Sequence, residues 1–220
     1  MPRIALIHAT PVAIDPIRSA FMALWPEAEL ANVLDDSLSV DRAKFAEITP
    51  AIASRILRLA EYGASLGADA ILFTCSAFGP AIEEAARRLP MPVLKPNEAM
   101  FEEALKHGDR IGMVATFPPA VATMEEEFAD EARRLRPTAR LTIELCADAM
   151  TALRDGDAET HNALVSERCG SLANVDAIML AHFSTSRALE AARGVTGAPV
   201  LSSPEAAVRK VRSLVAQNRE

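Results

Sequence analysis

Two halves of this chain repeat each other at a fixed spacing, and few sequence features restrict a fold more. Arg3-Ile-Ala-Leu-Ile-His-Ala-Thr-Pro11 aligns with Arg110-Ile-Gly-Met-Val-Ala-Thr-Phe-Pro118 at an offset of 107 residues. The same offset relates Asp69-Ala-Ile-Leu-Phe-Thr-Cys75 to Asp176-Ala-Ile-Met-Leu-Ala-His182, Pro92-Val-Leu94 to Pro199-Val-Leu201, and Glu98-Ala99 to Glu205-Ala206. Only the stretch Glu29–Leu34 slips, by four residues, to match Arg140–Leu145. The slip implies a longer helix before that strand and a shorter one after it in the second half.

Each half reads as short apolar strands separated by helical stretches such as Ile14–Leu24, Arg42–Leu66 and Pro118–Leu135. Alternation of this kind predicts an α/β fold in which a parallel sheet is flanked by helices. A period of about 100 residues is too long for a solenoid, so two similar lobes related by duplication are expected. The boundaries predicted are 1–98 plus 204–220 for the first lobe and 99–203 for the second. The last helix, Pro204–Ala216, is expected to pack back on the first lobe, with Pro204 suited to a first helical turn.

The 220 residues are half hydrophobic and 24% charged, which suits packed cores. A net charge of −7, with Lys and Arg scattered among Asp and Glu, argues against a nucleic-acid partner. No apolar run approaches the roughly 18 residues of a membrane span, so no membrane partner and a cytoplasmic location are expected. Apolar positions along Ile52–Leu66 would allow a homo-oligomer, although core packing explains them equally well.

Parallel sheets bind ligands beyond the carboxyl ends of their strands, and two facing lobes would converge there on one active site between them. Four loops occupy such positions: His8-Ala-Thr10, Thr74-Cys75-Ser76-Ala77, Thr116-Phe117 and His182-Phe-Ser-Thr185. Cys75 lies close to a helix start near Phe78–Pro80, a setting that favours the thiolate. His182 occupies the equivalent place and can exchange a proton near neutral pH. Thr10, Ser76, Thr116, Ser184 and Thr185 bring hydroxyls, and the loops around them, including Ala77 and Phe117, bring main-chain N–H groups suited to a carboxylate. His8 could join from the first strand end. His107 and His161 are assigned no role, and His161 is expected on a surface helix; Cys146 and Cys169 are expected to be structural.

Three widely spaced cysteines suggest neither a disulfide framework nor a CxxC motif. No GxGxxG, GxxxxGK[ST], GxSxG or HExxH string occurs, so no cofactor is expected. A zinc site built from His8, Cys75 and His182 would depend wholly on long-range geometry, and no metal is expected.

The two-lobe duplication, the Thr74-Cys75-Ser76 loop after Ala70-Ile-Leu-Phe73, Thr116 after the first strand of the second half and the loop at His182 together resemble the aspartate/glutamate/hydantoin racemase superfamily. That group also includes arylmalonate decarboxylases and maleate isomerases, and the likeness spans nearly the whole chain. It implies a small carboxylate bound between the lobes, no metal or nucleotide, and two cysteines on opposite faces of the substrate that remove and return an α-proton. Carried over by position, Cys75 matches the first cysteine. Ser76, Thr116, Ser184 and Thr185 fall in the loops that hold substrate carboxylate. The second cysteine belongs where this chain has His182, in a loop that usually reads Gly-Cys-Thr or Gly-Cys-Ala and here reads Ala181-His182-Phe183.

Three readings follow from this departure. The first is a racemase or epimerase with Cys75 and His182 as an unlike acid/base pair on the carbon α to a carboxylate. The second is a one-cysteine decarboxylase or cis–trans isomerase, although the superfamily's decarboxylases keep their lone cysteine at the other position. The third is a small-acid binding protein without turnover.

Overall fold

The computed structural model describes residues 1–218; the end of the first-lobe assignment, Arg219 and Glu220, lies outside the described residues. The chain divides into two compact units, one formed by Met1–Pro96 with the C-terminal segment from Ala207, the other by Asn97–Ala206.

The first unit runs β1 (Arg3–His8), α1 (Ile14–Leu24), β2 (Glu29–Leu34), α2 (Ser37–Arg42), α3 (Pro50–Ser65), β3 (Ala70–Phe73), α4 (Gly79–Arg88) and β4 (Val93–Leu94). The second runs α5 (Glu98–His107), β5 (Arg110–Ala115), α6 (Val121–Leu135), β6 (Arg140–Leu145), α7 (Ala147–Arg154), α8 (Ala158–Ser171), β7 (Ala177–Leu180), α9 (Leu189–Arg193) and β8 (Val200–Ser202). The final helix α10 (Ser203–Gln217) carries the chain across the unit boundary. Its Arg212 donates to the Leu24 carbonyl at the end of α1, so the C-terminal segment packs on the first unit.

Each unit holds one four-stranded parallel sheet, in the orders β2-β1-β3-β4 and β6-β5-β7-β8. The registers repeat with the sequence: Ile4 pairs with Ala70 as Ile111 pairs with Ala177, and Ile71 with Val93 as Ile178 with Val200. Asp69 and Asp176 each accept from the first N–H of the neighbouring central strand, that of Arg3 or Arg110. The four-residue slip has a visible cause, because α6 has 15 residues where α1 has 11.

The central strands are apolar between their ends, over Ile4–Ile7, Ala70–Phe73, Ile111–Ala115 and Ala177–Leu180, as parallel strands covered on both faces must be. In the first unit Ile4, Leu6, Ile17, Phe21, Ile56, Ile71 and Ile82 are fully buried; in the second, Val114, Val165, Cys169, Ile178 and Leu180 form the corresponding core. Each such side chain contributes about 1.5–3 kcal/mol by leaving water. The apolar stripe of α3 is spent on this core. Ile52, Ile56, Ala60 and Gly63 are buried, and a Cβ at Gly63 would sit 3.1 Å from that of Ala5 on β1.

Two local expectations fail. The stretch from Arg42 to Leu66 is two helices, since Thr49 caps α3 by accepting from the Ile52 N–H and Pro50 follows at the first turn, leaving 43–49 non-helical. His161 lies on no surface: α8 starts after a left-handed Gly156, with Asp157 accepting from the Thr160 N–H, and turns His161 fully inward.

Candidate functional site

The candidate site residues sit at or just past the carboxyl ends of strands, and each unit contributes its own cluster. In the first unit β3 ends at Phe73 and the chain continues extended through Cys75 into a 3₁₀ turn, Ser76–Phe78, that leads into α4. Cys75 is partly exposed, whereas Cys146 and Cys169 are buried and burial pushes the Cys169 thiol up to about 12. Cys75 is therefore the one cysteine of the three that a small molecule could reach.

Its electrostatic setting differs from the expected one. Burial of the sulfur raises the thiol above its ordinary value; the Ala77 N–H, the Ser39 hydroxyl and the Arg42 guanidinium oppose that rise without cancelling it. The expected lowering by the helix start is outweighed because desolvation penalises the thiolate more than one N–H group and one nearby cation favour it. At neutral pH the group is a thiol.

Ser39 and Arg42, both on α2, are site residues that sequence reasoning missed. The Ser39 hydroxyl donates to the Ala9 carbonyl at 2.7 Å, tying α2 to the loop after β1. Arg42 is 5% exposed and donates to the carbonyls of Ala77 (3.2 Å), Phe45 (2.6 Å) and Ala46 (3.2 Å). Asp36-Ser-Leu-Ser-Val-Asp-Arg42 has no repeat partner at the common offset, which is why it gave no signal.

His8 closes β1 with both ring nitrogens engaged, Nδ1 to Thr74 Oγ1 and Nε2 to Asn32 Oδ1, each at 2.9 Å. One neutral tautomer satisfies both: Nε2–H donates to Asn32 and Nδ1 accepts the Thr74 hydroxyl. Burial lowers the His8 pKa, and the Asn32 bond offsets part of the shift. His8 thus fixes β1, β2 and the start of the Cys75 loop to one another. Thr10 is half-buried, opens the 3₁₀ turn after β1 and makes no side-chain cap, while Ser76 and Ala77 are buried in the turn that follows Cys75.

In the second unit Thr116 and Thr185 are fully buried and their hydroxyls meet at 3.3 Å, linking the loop after β5 to the loop after β7. Ser184 and Thr185 begin the 3₁₀ turn Ser184–Ala188. His182 stands between, at φ +71°, a left-handed conformation that costs a residue with a Cβ about 1 kcal/mol or more. Its Nε2 accepts the Phe117 N–H at 3.3 Å, and the two rings meet edge to face with centroids 6.4 Å apart. An acceptor Nε2 leaves the ring proton on Nδ1, and burial depresses the pKa to about 4. At neutral pH His182 is uncharged.

Beside this loop, Ser203 donates to Asn97 Oδ1 at 2.6 Å, joining the starts of α10 and α5. These two residues, which the repeat did not single out, fix the end of β8 to the helix that opens the unit. Among the described residues no group of three or more His, Cys, Asp and Glu is placed to hold a metal ion, and no helix is long and apolar enough to cross a membrane.

The Asp/Glu/Hydantoin racemase family matches residues 13–173. Among solved structures, the allantoin racemase from Klebsiella pneumoniae is 20% identical at a TM-score of 0.74, with 99% of this chain and 89% of that one covered. A glutamate racemase from Bacillus anthracis is 13% identical at 0.77, with 99% and 82% covered. An aspartate racemase homologue from Pyrococcus horikoshii OT3 is 16% identical at 0.71, with 98% and 100% covered. At such identities the likeness establishes the fold. No curated protein sequence matches.

Proposed function

As a member of the Asp/Glu/Hydantoin racemase family, this chain is a racemase-type enzyme, and we propose that it moves a proton at the carbon α to a carboxylate of a small amino-acid-like acid, with Cys75 and His182 as an unlike acid/base pair on opposite faces of the substrate. The observation that carries the reading is the placement of Cys75: partly exposed at the carboxyl end of a central strand, close to the Ala77 N–H, the Ser39 hydroxyl and the charge of Arg42.

The protonation states give the reaction a starting direction. At neutral pH the imidazole lacks a proton to give as an acid, and the thiol holds one. His182 Nε2, exchanging the Phe117 N–H for substrate, would take the α-proton; the C–H electron pair would pass into the carboxylate-conjugated carbanion, held by hydroxyls and N–H groups of the Thr116 and Thr185 loops. The Cys75 S–H would then protonate the opposite face. Imidazolium and thiolate result, and proton exchange with solvent restores the resting pair. No cofactor takes part in these steps.

A second reading rests on the same imidazole. Because Nε2 already accepts the Phe117 N–H and burial holds the ring neutral, a one-thiol reaction, either decarboxylation or cis–trans isomerisation of a small dicarboxylate, would need Cys75 alone. Incubation in D₂O with a panel of amino, hydroxy and hydantoin acids, followed by NMR at the α-carbon, separates the two. Deuterium incorporation with loss of optical activity supports proton transfer at Cα; CO₂ release, or double-bond isomerisation without exchange, replaces it with the one-thiol reaction. Thermal stabilisation by an acid that never exchanges would mark a binding protein.

A further inference from the structure

Arg42 and Arg55 lie on neighbouring helices of the first unit and are used in opposite ways. Arg55, on α3, is paired with Asp35 at 2.5 Å and Asp41 at 2.6 Å, and Asp41 also takes Lys44 at 2.9 Å. Asp35 and Asp41, which lie at the two ends of α2, are thereby paired away from Arg42. Arg42 is the more buried of the two and bonds only to main-chain carbonyls; among the described residues no carboxylate pairs with it. A buried cation without a counter-ion is costly, and its positive potential falls on whatever lies beside it. The group beside it that can accept that potential is Cys75, because Arg42 Nε holds the carbonyl of Ala77, two residues on from the thiol and part of the same turn.

We propose that Arg42 is a positioning residue for Cys75: anchored through the Ala77 carbonyl, its unpaired charge supports the thiolate formed whenever Cys75 gives up its proton. The inference rests on the reading of Cys75 as the working thiol. It assigns α2 a task beyond packing. The groups acting on the sulfur are few. Arg42 and Ser39 face it from α2 and the Ala77 N–H from its own turn, while His8 on the adjacent β1 is neutral and committed to Thr74 and Asn32.

The test is the pH profile of Cys75 alkylation by iodoacetamide, followed by mass spectrometry on the full chain, with Cys75→Ser as the blank for Cys146 and Cys169. Removal of the charge in Arg42→Met should move the inflection up by about one pH unit, about tenfold slower alkylation at a pH below both inflections. Arg42→Lys keeps a charge but loses the fork, and should shift the profile by less than about a third of a unit. A folded Arg42→Met with the wild-type profile overturns the proposal. So does an Arg42→Lys shift as large as that of Arg42→Met, which would assign the effect to loop geometry. If the methionine variant does not fold, Arg42→Gln, which also removes the charge, takes its place with the same limits. Alkylation reads the thiol whether or not any acid turns over. A lack of α-proton exchange with this profile intact would therefore overturn the proposed reaction and leave the role of Arg42 standing.

Discussion

The loops after β3 and β7 occupy the same position in two copies of one fold, yet they handle charge differently. The Cys75 loop presents a partly exposed thiol on extended backbone, beside an arginine that pairs with no carboxylate among the described residues. The His182 loop is buried, turns through a left-handed residue and is neutral throughout, its imidazole held by a main-chain N–H and its hydroxyls by each other. Duplication supplied the scaffold twice, and local side chains then gave one copy a group that can become an anion and the other a base that resists becoming a cation.

If the loops have diverged in this way, their substitutions should not be equivalent. Cys75→Ser should lower racemisation by about 10³-fold or more, within the range of a lost general acid–base group, while His182→Asn, chosen because asparagine tolerates φ > 0, should cost about 10²-fold. Steady-state rates at matched melting temperature check this, and equal losses would erase the contrast.

Acid should strike next. His182, His8 and His161 are all held below the ordinary histidine value by burial. The unfolded chain binds their protons first, so this stability is complete above pH about 6.5 and declines as pH falls toward the folded values. For His182 alone, with a folded value of about 4, the loss reaches about 3 kcal/mol at low pH. Denaturant midpoints between pH 7 and 4 should fall steeply in the wild type and less so in His182→Asn; parallel curves would contradict the assignment.

The hydroxyls offer a finer contrast. Thr74→Val leaves the buried His8 Nδ1 without its 2.9 Å partner and should cost about 1–3 kcal/mol. Thr116→Val breaks a 3.3 Å hydroxyl pair and should cost less, about 0.5–1.5 kcal/mol in urea melts. The reverse order would show that the second loop is the more tightly built.

The sequence disclosed more of the scaffold than of the site. Strand positions, the parallel sheets and the four-residue slip were legible because buried parallel strands are continuous apolar runs, and the duplicated Asp69 and Asp176 fixed the alignment. Cys75 and His182 were legible as positions, since strand ends are where such sheets hold ligands. What the positions did to each group was not. The rise of the Cys75 thiol depends on desolvation by surrounding atoms, and the backbone angle of His182 leaves no mark in a single sequence. Ser39 and Arg42 reach the Cys75 loop across 35 or more positions from a segment with no repeat partner. His161 escaped because it lies on the same face as Val165 and Cys169, a stripe too short and too broken by polar neighbours such as Thr160, Asn162 and Ser166 to mark an inward face.

The account stands on two unlike groups sharing one proton transfer, and exchange resolved by enantiomer addresses that most directly. With each enantiomer of an acid that the wild type racemises, deuterium uptake should be lost for one enantiomer in Cys75→Ser and for the other in His182→Asn, each variant still washing out the α-proton from the face it retains. Loss for both enantiomers in Cys75→Ser, with neither affected in His182→Asn, would show that the thiol works alone and that the second loop has no part in the chemistry.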